Sequence, residues 1–99
     1  MSKNINKEQI DKWKKEHKRV HKLEIEGHVG FLKHPNRNVL GLAMSYSSQG
    51  NNVKFAECLF ENCWLGGDEI LRNDDDFFIS CIPQLSEIVV IKEGKLTRV

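Results

Sequence analysis

The chain has 99 residues, of which 39% are hydrophobic and 29% are charged, and its formal net charge is +1. This length indicates one small domain with a single core, and the near-neutral charge argues against a chain built mainly to hold nucleic acid. No apolar run approaches the roughly 20 residues of a membrane span, and the polar N-terminus lacks a signal-peptide core. We therefore expect a cytosolic protein with no membrane partner.

The charge is distributed unevenly along the chain. Residues 1–22 contain eight basic and three acidic side chains, whereas residues 52–93 contain nine acidic and three basic ones. Such a chain can associate head to tail with copies of itself, or it can simply place its two ends on opposite faces. We favour the second interpretation and keep a homo-oligomer as an alternative.

The first predicted element is a basic helix. Asn6 is a suitable N-cap, with Gln9 at the third helical position, and the helix is expected to end near Lys18 or Arg19. Its lysine-rich face is the one feature that suits phosphate contacts. Acidic side chains interrupt that face and no recognition-helix pattern follows, so nucleic-acid binding is only the alternative function.

A change to period-two alternation then predicts a β-hairpin in the N-terminal third. Leu23 and Ile25 alternate with charged residues before Gly27, and Val29 and Phe31 alternate after it. Glycine supplies the positive φ that the turn requires. We expect the four apolar residues to form one face, against which a helix packs, because an isolated hairpin is marginal in water.

Two helices are predicted after the hairpin. Asn36 follows a proline and caps a helix that ends at about residues 45–46. Asn52 caps the next helix, which is expected to include Trp64 and to end at residues 66–67, both of them glycines.

A last helix is predicted from Asp74 to about Lys92. Pro83 falls inside its apolar stripe, so the helix either kinks there or breaks and restarts; the continuous stripe favours the kink. The prediction is an α+β fold: one small, mostly helical domain over residues 1–99, with about four helices and one hairpin. Residues 1–5 and 94–99 are expected to fray.

The sequence indicates no catalytic, cofactor-binding or metal-binding residues. Cys58, Cys63 and Cys81 lie in apolar helical segments, where a cysteine is most simply a small core residue. The first two are five positions apart, which suits neither a zinc site nor one helical face. No nucleophile elbow or phosphate loop is present. We therefore expect a protein that is not an enzyme and needs no cofactor.

Aromatic residues at helix ends favour protein–protein binding instead. The candidate partner-binding residues are Trp13, Phe60, Trp64 and Leu65. Tryptophan is enriched at the energetic centres of interfaces. Filling the core is an equally good explanation for either tryptophan alone.

Several short motifs occur in a defined order along the chain. They are residues 13–17 (WKKEH), 30–33 (GFLK), 35–37 (PNR), 55–59 (FAECL), 62–69 (NCWLGGDE) and 74–78 (DDDFF). This order resembles the small tail assembly chaperones of long-tailed bacteriophages and prophages, over nearly the whole chain. The most specific part is the segment 62–69 after a Phe-x-Glu-x-Leu helix.

The resemblance implies a non-enzymatic function. Such chaperones bind the long, helical, apolar tape measure protein, keep it soluble and help to recruit tail tube subunits in the cytoplasm of the bacterial host. The expected partners are therefore the tape measure protein and the tail tube protein. Pro83 departs from the family pattern, in which the last helix is continuous.

Overall fold

The computed structural model describes residues 5–17, 19–89 and 93–99, and it confirms the predicted α+β class. In this part of the chain there are five helices and a three-stranded antiparallel sheet of order β1-β2-β3. The elements are α1 (Lys7–Glu16), β1 (Val20–Ile25), β2 (His28–Lys33), α2 (Arg37–Ser48), α3 (Asn52–Cys63), β3 (Trp64–Gly67), α4 (Ile70–Asn73) and α5 (Asp75–Ser86). The third strand and the single turn of α4 were not predicted.

The helix starts follow from local capping. The side chains of Asn6, Asn36 and Asp74 each accept a hydrogen bond from the backbone N–H three residues on, as predicted. For α3 the cap is Asn51 rather than Asn52, so that prediction was wrong by one residue. The first helix also ends earlier than expected, at residue 16, and Lys18 lies outside the described residues.

The hairpin turn consists of Glu26 and Gly27, and both have positive φ, at 48° and 84°. Positive φ at both central residues defines the type I′ turn, whose twist matches that of the flanking strands. The predicted role of Gly27 is therefore confirmed. The two-residue turn pairs Ile25 with His28, so odd-numbered residues of β1 pair with even-numbered residues of β2.

This register contradicts the prediction that the four apolar residues of the hairpin form one face. Leu23 is opposite Gly30, and Val29 is opposite a glutamate of β1. Because residues that pair across antiparallel strands share a face, Leu23 and Ile25 lie on one face of the sheet and Val29 and Phe31 on the other. Each face consequently carries its own helical cover.

Strand β3 replaces the predicted C-terminal end of the third helix. Gly66 and Gly67 pair with β2 and are buried, so the prediction that they end a helix was wrong. Packing leaves no room for a side chain at Gly67 and little room for one at Gly66. A Cβ at Gly67 would collide with the carbonyl oxygen of Val29, and one at Gly66 would lie 3.1 Å from the Trp13 ring.

The two faces of the sheet differ in what covers them. On one face Trp13 of α1 packs against Phe31, with ring centroids 5.6 Å apart. On the other face α3, α4 and α5 enclose the main core. Its largest fully buried side chains are Leu32, Leu59, Leu71, Leu85, Cys63 and Cys81. All three cysteines are buried free thiols, as predicted.

The last helix continues through Pro83 without a break, so the restart alternative was wrong. Pro83 cannot donate to the carbonyl of Ile79, but both residues are exposed, where water is available to that oxygen. The helix ends at Ser86 rather than at Lys92, and residues 90–92 lie outside the description. Residues 93–99 are exposed and have no regular secondary structure.

No helix in the described ranges combines the length and the apolar character needed to cross a membrane.

Candidate functional site

A surface groove lies where α3, α4 and α5 meet, and it has a volume of about 290 Å³. This α3–α5 groove is lined by six residues: Val53, Glu57, Arg72, Asp75, Phe78 and Ile79. Three are apolar and three are charged. The groove is therefore amphipathic and open to solvent, unlike an enclosed small-molecule pocket.

Helical spacing explains how these side chains come together. Val53 and Glu57 are four residues apart on α3, and Asp75 and Ile79 are four apart on α5, so each pair lies along one helix face. Helices α3 and α5 thus each contribute one aliphatic and one acidic side chain. Val53 is 46% exposed and Ile79 is 51% exposed, so neither is held by the core.

Two of the predicted partner-binding residues, Phe60 and Trp64, lie between the groove and the core. Phe60 is only 3% exposed and contacts Phe78, with ring centroids 5.7 Å apart. Trp64 contacts Phe60 edge to face, also at 5.7 Å. The aromatic floor is therefore continuous from the groove into the core.

Arg72 is fixed at the rim of the groove by two neighbours. Its guanidinium lies over the Trp64 ring, 4.7 Å from the centroid, which is a cation–π geometry. It also forms an ion pair with Glu69, whose carboxylate in turn accepts a hydrogen bond of 3.1 Å from the indole N–H of Trp64. The three side chains hold one another in place.

The acidic residues of the groove have no such arrangement. Glu57 and Asp75 form no ion pair within the described part of the chain. The groove therefore presents an apolar floor flanked by two carboxylates that form no ion pair, although Arg72 lines the same groove.

The structure does not bring all four predicted residues to one place. Trp13 is 8% exposed and lies on the opposite face of the sheet, against Phe31. Leu65 is half-buried at the irregularity between β2 and β3. Their binding roles, like those of Phe60 and Trp64, stay predictions.

The exposed member Ile79 was missed by the sequence prediction, although a signal was present. It falls outside the apolar stripe of the last helix, so the core does not require its hydrophobic side chain. An aliphatic residue on the polar face of a helix is a candidate contact for a partner.

Burial disfavours the thiolate form of the three cysteines. Burial raises the pKa of Cys63 to about 11 and that of Cys81 to about 11, and burial also raises the pKa of Cys58. The reactive thiolate is therefore scarce at neutral pH. Among the residues that the structure describes, no group of three or more His, Cys, Asp or Glu side chains is placed to hold a metal ion.

A polar cluster lies at the open end of the hairpin, opposite the turn. His21 Nε2 is 2.9 Å from His34 Nδ1, and the guanidinium of Arg19 is 3.1 Å from His34 Nε2. Burial, His34 and Arg19 lower the pKa of His21, and burial and Arg19 lower that of His34. This cluster ties the strand ends together and is remote in sequence from the groove residues.

Comparison with protein-family models, with curated proteins and with solved structures finds no match for this chain.

Proposed function

We propose that this protein is a non-enzymatic tail assembly chaperone of a phage or prophage, and that it binds an apolar helical segment of the tape measure protein. The observation that carries the proposal is the α3–α5 groove, with Val53 and Ile79 exposed beside the half-buried Phe78. The ordered motifs along the chain supply the phage assignment through their resemblance to such chaperones. The proposed location is the cytoplasm of the bacterial host.

The shape of the groove suits a helix as the bound element. Two helices supply rows of side chains at four-residue spacing, and an amphipathic helix lays its own apolar row into such a depression. The opening is small, so a single site gives weak and exchangeable binding. Weak contacts repeated along a long partner suit a protein that must leave after assembly, and they allow several copies to gather on one tape measure chain.

Co-expression with the tape measure protein from the same genome tests this proposal. Wild-type protein should raise the soluble fraction of the tape measure protein and co-purify with it. Val53→Glu and Ile79→Glu should each reduce co-purification, because a carboxylate is placed on the apolar floor. Met44→Glu is the matched control, since Met44 is also exposed but lies on α2 outside the groove.

The proposal is wrong if wild-type protein leaves the tape measure protein equally insoluble. The groove assignment alone is wrong if the wild type co-purifies and both groove variants do so equally well. Circular dichroism of each variant checks that the fold is retained.

Duplex DNA binding is a second candidate, favoured by the exposed lysines of α1. They are Lys7, Lys12, Lys14 and Lys15. Affinity for duplex DNA that falls steeply with salt and is lost when these lysines are changed to glutamine supports this candidate. Exposed acidic residues on the same helix oppose it, so we rank it second.

A further inference from the structure

We infer that the α3–α5 groove selects amphipathic helices whose apolar row is flanked by lysine or arginine. This inference rests on the proposed function, because it specifies the chemistry of the helix that the groove binds. Three apolar side chains of the groove, Val53, Phe78 and Ile79, lie beside two carboxylates.

The charges of the groove are arranged so that the acidic ones dominate. Arg72 is the one cationic side chain that lines it among the described residues, and its charge is already paired with Glu69 and stacked on Trp64. Glu57 and Asp75 have no corresponding ion pair in the described structure. A bound helix with a cation on each side of its apolar row supplies both missing partners.

The segment of the chain that supplies the groove is acidic in sequence. Residues 52–93, which include all six lining residues, contain nine acidic and three basic side chains. A surface of one sign attracts an oppositely charged partner before contact and disfavours a like-charged one. Glu57 is half-buried, so solvent screens its charge less than that of Asp75.

The expected selectivity is moderate. Exposed ion pairs contribute about 0.2–1 kcal/mol each, so two new pairs correspond to an affinity gain of about two- to thirtyfold. A helix flanked by glutamate additionally meets like charges. The preference should decline with added salt, because the screening length falls to about 3 Å at 1 M.

Two synthetic peptides test the inference. Both have about 18 residues, enough for a marginally stable helix, and share one leucine row; one has lysines beside that row and the other has glutamates. Fluorescence anisotropy with the full-length protein should show tighter binding of the lysine peptide at low salt. The difference should fall towards zero at about 1 M salt.

Charge variants locate the effect. Glu57→Lys combined with Asp75→Lys should reverse the preference, and the milder pair Glu57→Gln with Asp75→Asn should remove most of it. Glu24→Lys with Glu93→Lys makes the same change in net charge outside the groove and should keep the wild-type preference, since both residues are exposed elsewhere.

Equal binding of the two peptides overturns the inference, as does the absence of binding by either. An equal shift by the groove and control variants also overturns it, because net charge then explains the selectivity. These outcomes are distinct from failure of the proposed function, which is measured by the solubility of the tape measure protein with unaltered chaperone.

Discussion

Asp68 closes the ladder between β2 and the end of β3 with both its backbone and its side chain. Its N–H donates to the carbonyl of Val29 at 2.8 Å, and its Oδ2 accepts from the N–H of Val29 at 2.9 Å. The carboxylate thus takes the place of a backbone carbonyl where the strand stops. His28 Nδ1 lies 3.5 Å from the same oxygen, and Asp68 is only 5% exposed.

Replacement of Asp68 by alanine should therefore destabilise the fold. The N–H of Val29 loses its acceptor, and an unsatisfied backbone donor costs about 1–3 kcal/mol. Asp68→Asn should cost less, because its side-chain carbonyl can still accept that hydrogen bond. Urea unfolding of the three proteins measures the difference, and equal midpoints for all three contradict this role of the carboxylate.

Gly27 should tolerate substitution less well than Gly41, although a Cβ at either position meets no atom within 4 Å. The difference is φ, which is positive at Gly27 because of the type I′ turn. Gly27→Val should lower the free energy of unfolding by more than 1 kcal/mol, since β-branched residues avoid this region. Gly41→Ala in the middle of α2 should raise it by roughly 0.5–1 kcal/mol. Thermal melts of both variants measure the contrast, and a neutral Gly27→Val contradicts it.

The cluster of His21 and His34 should make stability depend on pH. Burial and neighbouring cations lower the pKa of both side chains below 6.5 in the folded state. As the pH falls through 6.5, the unfolded chain takes up protons before the folded chain does. Stability should therefore be greatest above pH 6.5 and decline until the pH reaches the folded-state pKa values.

Urea unfolding at a series of pH values from 7.5 downwards measures this dependence. The double variant His21→Gln with His34→Gln should show a shallower decline immediately below pH 6.5, because glutamine does not titrate. His17→Gln is a suitable control, since His17 is not part of the cluster. Identical slopes for the wild type and the double variant contradict the assignment.

Local signals in the sequence predicted the helices well, and pairing between distant segments was predicted less well. Asn6, Asn36 and Asp74 cap their helices through contacts within three residues, so the information is contained in each segment. The prediction that all four apolar residues of the hairpin share one face was wrong, because apolar alternation on both strands does not determine the length of the turn. Only the two-residue turn fixes the register.

Strand β3 could not be found by periodicity. Its four residues, WLGG, continue the apolar run of α3, and the glycines resemble a helix end. Burial of Gly67 against the backbone of Val29 depends on a tertiary contact almost 40 positions away in sequence. The α3–α5 groove was missed for the same reason, since it requires the packing of three separate helices.

Trp64 is the most informative of the predicted partner-binding residues, because it touches both the core and the rim of the groove. Its ring covers Gly30 and contacts Phe60, and it carries the guanidinium of Arg72. Trp64→Ala should leave the protein folded but lower the free energy of unfolding by about 2–3 kcal/mol, below the range for fully buried tryptophan. It should also weaken co-purification of the tape measure protein, because Phe60, which contacts the groove residue Phe78, loses its own contact with the Trp64 ring.

The comparison with Trp13 separates these two effects of the substitution. Trp13 is more deeply buried but lies on the other face of the sheet, so Trp13→Phe should reduce stability without changing partner binding. Arg72→Gln keeps the Trp64 ring and removes the one cation that lines the groove among the described residues, so it should not weaken binding of a helix flanked by lysine or arginine. If Trp64→Ala unfolds the chain, Trp64 acts as a core residue. The binding face must then be sought around Trp13 and the basic helix α1.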